Sequence, residues 1–198
     1  LLGRPEAHGR LVSGGSEANV VALWAARNRA RDEKGIERGR VICGANAHVS
    51  YDKAADLLGI ALVKIPVTES YVMDIDAARA AVDDKTIALV ALAGSTDLGA
   101  VDPIADLSDL AEERGLHLHV DAAFGGFVLP FLSGPVPSFD FQLPGVSSIT
   151  VDPHKDRHTA RPIDAQDCAW MATLRGEADI EATPNPLSLI HISEPTRP

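Results

Sequence analysis

Aromatic side chains are scarce in this chain of 198 residues, at 5%. A core must therefore be built mainly from Val, Leu, Ile and Ala, and apolar residues make up 45%, enough for a substantial one. Cysteine is scarcer. The two present, Cys43 and Cys168, have neither metal-ligand spacing nor the numbers for a disulfide framework. Cys43 sits in an apolar strand-like run and reads as a buried thiol, so a reducing cytoplasmic setting is the simplest expectation. No stretch of about 18 apolar residues is present to span a bilayer, and no signal-peptide pattern is recognised. Positive charge is also in short supply. Against 28 Asp and Glu stand 18 Lys and Arg, a net charge of -10, which argues against nucleic acid as a partner.

What is present is an alternation of short apolar runs and amphipathic segments. Ser13-Gly-Gly-Ser16 leads into a helix whose Val20, Leu23 and Trp24 recur at helical spacing. That helix is expected to fade in the charged stretch 29–40. Strands are predicted at Val41–Cys43, Ala61–Ile65, Thr86–Ala93, Leu116–Val120 and Ser147–Val151, with helices over 50–58, over 75–82 behind a cap at Asp74, and after Asp102-Pro103 as far as Gly115. Thr86–Ala93 is almost unbrokenly apolar, as befits a strand covered on both faces. The pattern predicts an α/β domain with a mainly parallel sheet and helices on both faces. Residues 133–145, rich in Gly and Pro, read as a surface excursion.

In such sheets ligands bind beyond the carboxyl ends of the strands, and the chemically capable residues fall there. Gly15 and Ser16 open a helix whose free N–H groups and positive end suit a phosphate. Asp121 closes a strand, where a carboxylate could hold a cationic ring nitrogen or serve as a helix N-cap. Ala122 and Ala123 would let a flat ring lie close. Lys155 follows Asp152-Pro-His154; partial desolvation there would free its amine for Schiff-base chemistry, the plainer reading being a surface lysine. His48 could stack on a ring or be an ordinary loop histidine. His117 and His119 share one face of a strand, with packing as their default role and no support for a metal site. Asp97, Asp102 and Asp106 read as loop and cap residues.

Taken together, phosphate turn, imidazole, carboxylate and lysine occur in the chain order of fold-type I pyridoxal-phosphate (PLP) enzymes. The segments Ser13-Gly-Gly-Ser-Glu-Ala-Asn19, Ala47-His-Val-Ser-Tyr-Asp-Lys-Ala54, His119-Val-Asp-Ala-Ala-Phe-Gly-Gly126 and Phe139-Asp-Phe through Ser148-Ile-Thr-Val-Asp-Pro-His-Lys155 resemble the group II amino-acid decarboxylases, and most nearly the archaeal L-tyrosine/L-aspartate decarboxylases. The resemblance covers roughly residues 10–155. It implies PLP as cofactor, a small amino acid as substrate, loss of CO2 to give an amine, and a homodimer in the full-length parent. Residue by residue, it implies that Lys155 binds the cofactor covalently with His154 before it, that Asp121 pairs with the pyridine nitrogen, that Ala123 packs on the ring, and that His48 stacks on its other face. Gly15 and Ser16 match the phosphate turn, and Ser95 and Thr96 match a loop near the cofactor.

The pattern is broken in places. After Lys155 the family continues with Met-Gly and a small-residue stretch, whereas this chain reads Asp156-Arg-His-Thr-Ala-Arg-Pro-Ile-Asp164. Residues 187–198 resemble the translation of a sequencing adapter and are read as a non-native tail. Residues 1–186 are expected to be part of a PLP-binding large domain, the C-terminal small domain being missing. Two further readings stand beside decarboxylation. One is a carbon–carbon lyase resembling sphingosine-phosphate lyases, which share the His-Val-Asp-Ala and Phe-Asp-Phe words but typically carry Thr-His before the lysine rather than Pro153-His154. The other is a non-catalytic, truncated α/β fragment.

Overall fold

A computed structural model describes residues 2–5 and 7–152 and the backbone of 170–173. Seven strands form one sheet in the order β1-β7-β6-β5-β4-β2-β3. β2 (Arg40–Gly44), β3 (Ala61–Ile65), β4 (Thr86–Leu92), β5 (His117–Ala122) and β6 (Val146–Val151) are mutually parallel. β1 (His8–Leu11) and β7 (Trp170–Thr173) add an antiparallel edge. That edge is not legible in the sequence, because β1 is mostly exposed and lacks a hydrophobic alternation; it is held by backbone pairing.

The strands sort their side chains onto two faces by the period of two. Val41, Cys43, Ala88 and Val90 point to one face, where they meet Leu23, Ala26 and Ala30 of α1 (Gly15–Lys34) and Tyr51, Ala54 and Ala55 of α2 (Ser50–Leu58). Ile42, Leu89 and Ala91 point to the other, against Ala78 of α3 (Ile75–Ala81) and Ile104, Leu107 and Leu110 of α4 (Ile104–Arg114). Every residue of β4 is buried, as its apolar run requires. The expectation of a mainly parallel sheet covered on both faces therefore holds.

Local signals explain most of the boundaries. Asp74 caps α3 by accepting from the N–H groups of Asp76 and Ala77, both at 3.0 Å. Gly35, Gly59 and Gly115 end α1, α2 and α4 in the left-handed conformation, which glycine adopts without steric cost. Two expectations need correction. α1 does not fade at residue 29 but runs to Lys34. Arg29 and Glu33 pair at 2.9 Å one turn apart, and Arg31 and Lys34 sit in the last turn, where positive charge suits the helix dipole. Asp102 does not cap α4. It is buried, and its two oxygens accept from Met73 N–H and Leu92 N–H, both at 2.7 Å. It thereby ties the end of β4 to the segment before α3. The excursion at 133–145 is exposed at first, but Phe139 and Phe141 are buried and anchor its far end in the core.

Candidate active site

The chain leaves β2 for β3 in one direction and returns across β2 to β4, so the winding reverses between β2 and β4. A crevice opens at such a reversal, at the carboxyl ends of the strands. A cleft of about 410 Å³ lies there, within the range of small-molecule sites. Its walls come from the start of α1, the segments after β2 and β4, and the ends of β5 and β6.

α1 enters with its N-terminus at the cleft. Gly14 precedes it in an extended conformation with no side-chain cap, and the first backbone hydrogen bond runs from Ala18 N to Gly14 O. The N–H groups of Gly15, Ser16 and Glu17 are thus outside intrahelical bonding and line the opening. Ser13 is engaged locally: its N–H and its hydroxyl donate to Glu17 Oε2 at 2.7 and 2.6 Å. A Cβ added at Gly15 would lie 3.3 Å from Asp152 Oδ2 and 3.8 Å from the Ala123 methyl. The turn therefore lies against the ends of both β5 and β6.

After β4, Gly94 turns with a φ of 97°, and a Cβ there would come within 3.1 Å of Gly125 N. Gly125 in turn has no room for a Cβ, which would collide with the Ala93 carbonyl. The two glycines let the loops after β4 and β5 pack on each other. Ser95 is buried and pins its own loop: its N–H donates to Ala100 O at 2.8 Å, and its hydroxyl oxygen accepts from Ala100 N at 3.1 Å. Thr96 is exposed at the rim.

Asp121 lies on the cleft floor, 7% exposed. It falls inside β5 rather than before a helix, which rules out the N-cap reading. Its Oδ1 accepts from Ala123 N at 3.1 Å, and its Oδ2 accepts from Asn19 Nδ2 at 2.9 Å and from the Tyr51 hydroxyl at 3.0 Å. A carboxylate offers about four acceptor sites, so these three donors leave one on Oδ1. Burial, reinforced by the Asp121 charge and hydrogen bond, pushes the Tyr51 phenol well above its ordinary range and keeps it a donor. His48, half-buried between β2 and α2, also lines the cleft. Its Nδ1 accepts from Ser50 N–H at 3.2 Å and meets Ser50 Oγ at 2.9 Å. The ring proton is thereby assigned to Nε2.

Behind Asp121 runs a buried polar layer. Ser148 Oγ stands 2.8 Å from both His117 Nε2 and His119 Nδ1. His119 Nε2 lies 3.4 Å from Asn19 Oδ1 and 3.3 Å from Thr150 Oγ1. Burial pushes the His119 imidazole down to about 4, against the opposing pull of Asp121. His117 and His119 do share a face, as expected, but they form a hydrogen-bonded layer and not simple packing.

Of the residues singled out in the sequence, Gly15, Ser16, His48, Ser95, Thr96, Asp121 and Ala123 meet at this one cleft. His154 and Lys155 lie outside the described residues, as does Cys168. Sequence reasoning passed over Asn19, Ser50 and Tyr51, although all three fall within the quoted segments; no local pattern marks a polar residue on a helix face as facing a carboxylate 102 positions away. It also took Asp152 only as the end of a strand, whereas the side chain is buried at the cleft wall. Among the described residues no cluster of metal-ligating side chains occurs, and no helix is long and apolar enough to cross a membrane.

The cleft fits a flat ring that carries a cationic nitrogen and a phosphate. The remaining acceptor site of Asp121 suits the nitrogen, the methyl of Ala123 leaves room for the ring, and the open N–H groups of α1 suit the phosphate.

The chain is similar to several known proteins. The probable L-tyrosine/L-aspartate decarboxylase of Methanothermobacter thermautotrophicus is 46% identical over 158 residues, 78% of this chain and 42% of that protein. The L-aspartate decarboxylase of Thermococcus kodakarensis is 49% identical over 158 residues, 78% of this chain and 40% of that protein. The chain thus spans less than half the length of these curated relatives. Among solved structures, the sphingosine-1-phosphate lyase of Burkholderia pseudomallei matches with a TM-score of 0.79 and 40% identity over 86% of this chain and 39% of that one. Oryza sativa TDC with PLP matches at 0.70 and 28% identity over 86% of this chain and 38% of that one. The model of the pyridoxal-dependent decarboxylase conserved domain matches residues 1–181, and the chain belongs to that family.

Proposed function

We propose that the protein of which this chain is part decarboxylates an L-amino acid of the aspartate or tyrosine type, with PLP as cofactor and Lys155 as its covalent anchor. The observation that carries this reading is the convergence of His48, Asp121, Ala123 and the α1 N-terminus on one cleft at the sheet's winding reversal. In the sequence, Lys155 follows the cleft-lining Asp152 by three residues.

When bound, PLP supplies an electron sink for the pair left on Cα as CO2 departs. The protein's own groups do the rest. Asp121 would hold a proton on the ring nitrogen, with Asn19 and Tyr51 keeping its carboxylate aimed. His48 and Ala123 would hold the ring between them, and the N–H groups of Gly15 and Ser16 would hold the phosphate, with Ser95 and Thr96 lining the same cleft. His154, next to the anchor in sequence, would assist there. Residues that hold the ring and phosphate in one place would also fix how a substrate's Cα is presented, which is what selects the bond that breaks.

A carbon–carbon lyase is the second reading, favoured by the likeness to the Burkholderia lyase. The Pro153-His154 pair before the lysine supports decarboxylation over it. We further assign the working protein to the cytoplasm as a homodimer. The buried free thiol of Cys43 supports a reducing setting, and Leu98 and Phe131, 60% and 71% exposed, offer apolar surface to a second copy on the loops after β4 and β5.

The test is borohydride reduction of the chain with PLP, followed by digestion and mass mapping, alongside CO2 release from aspartate, tyrosine and glutamate by a full-length parent. The reading expects one adduct at Lys155, absent in Lys155→Ala, and an amine product. An aldehyde product would move the assignment to the lyase. Adducts scattered over surface lysines, with a full-length parent equally unlabelled at this position, would end it.

A further inference from the structure

We propose that Asn19 is a positioning residue that couples Asp121 and His48 through a single carboxamide. The proposal rests on the PLP reading for its consequence, but not for its geometry.

Asn19 is 2% exposed, on the first turns of α1. Its Nδ2 donates to Asp121 Oδ2 at 2.9 Å and to Ser50 Oγ at 3.0 Å. The amide orientation is fixed chemically: an ionised carboxylate only accepts, so the NH2 must face Asp121 and Oδ1 must face His119. Both amide hydrogens are then used. Because Ser50 Oγ accepts one of them, its own proton is directed to His48 Nδ1, 2.9 Å away. On the other side, Asn19 Oδ1 can only accept, and it faces His119 Nε2 at 3.4 Å. Ser148 and Thr150 are hydroxyls and can donate or accept. Asn19 therefore sets the direction of the layer: His119 carries its proton on Nε2 and takes the Ser148 proton at Nδ1. Without the carboxamide, Asp121 keeps only Tyr51 on Oδ2, the Ser50 hydroxyl is free to turn, and His119 loses the Asn19 acceptor at Nε2.

Two measurements decide it. The first uses the full chain without cofactor. Nitrogen-15 NMR is expected to show His119 as the Nε2–H tautomer and the Asn19 side-chain NH2 exchanging with solvent at least tenfold more slowly than exposed carboxamides. In Asn19→Ala the His119 signals should move toward a tautomer average. A freely exchanging Asn19 amide, or an unchanged His119 tautomer in the variant, would overturn the proposal. The second uses PLP. Loss of a hydrogen bond to a charged group is expected to weaken the PLP Kd about 10- to 100-fold in Asn19→Ala, but less than about threefold when the same change is made in Asp121→Asn, since coupled residues are non-additive. A Kd within threefold of wild type, or losses that multiply, would show Asn19 to be merely structural. Should Asn19→Ala fail to fold, Asn19→Asp keeps the volume and the His119 acceptor while removing the donors, so the Kd should rise with the His119 tautomer retained. If the wild-type chain does not bind PLP at all, the cofactor reading fails, and the first measurement still decides the role of Asn19.

Discussion

The buried His119 makes the stability of this domain dependent on pH in a way that can be worked out beforehand. Burial lowers its folded-state value from 6.5 to about 4, so the fold holds the neutral imidazole while the unfolded chain takes up a proton below 6.5. A base with a depressed folded value contributes stability that is fully present above the unfolded value and lost as pH falls toward the folded one. Each pH unit in that window is ~1.4 kcal/mol for one proton, and the window gives about 3 kcal/mol in all. The assay is chemical denaturation from pH 7.5 to 4 on wild type and His119→Gln. Gln preserves a donor toward Asn19 Oδ1 but cannot titrate. At pH 7.5 the variant should be less stable, having lost the Ser148 and ring contacts. On acidification the wild-type advantage should shrink by about 3 kcal/mol, and the curves should converge. Titratable groups far from His119 are present in both proteins and largely cancel in the difference. Parallel curves would refute the reasoning, because they would mean that the folded His119 takes up its proton as readily as the unfolded one.

Other expectations follow from single contacts. Asp102→Ala leaves the N–H groups of Met73 and Leu92 without their acceptor, and should lower unfolding free energy by about 2–4 kcal/mol in urea titration. Burial raises the Asp102 carboxyl above its ordinary value; its ionisation therefore opposes folding, and the deficit of the variant should narrow as pH rises through the folded-state value. Gly125→Ala drives a methyl into the Ala93 carbonyl; a loss of up to about 3 kcal/mol and a weaker PLP Kd are expected, readable by thermal melting and cofactor titration. Tyr51→Phe removes one donor from Asp121 and should weaken PLP binding by roughly tenfold or more, in line with a hydrogen bond to a charged acceptor, while circular dichroism stays unchanged.

Much of this protein was legible from residue order alone. The apolar run Thr86–Ala93, the cap at Asp74 and the glycines 59 and 115 are local signals, and local signals set strand cores and helix ends. The resemblance carried by four short segments placed Gly15, Ser16, His48, Ser95, Thr96, Asp121 and Ala123 in one site, and the structure brings these seven to one cleft. Other features depended on partners distant in the chain. The β1–β7 edge joins residues more than 150 positions apart through backbone bonds that leave no side-chain pattern. Asp102 has the sequence context of a helix cap, yet two N–H groups from β4 and the β3–α3 segment reach it first. The role of Asn19 is the clearest case. On paper it is one polar residue on an amphipathic helix. Only when α1 is laid across the sheet does its carboxamide meet Ser50, Asp121 and His119 at once, 31, 102 and 100 positions away. Residue order set the periodicities and the turns, which are short-range; the pairing of buried polar groups is a long-range matter, decided when the helices docked and water was excluded from between them.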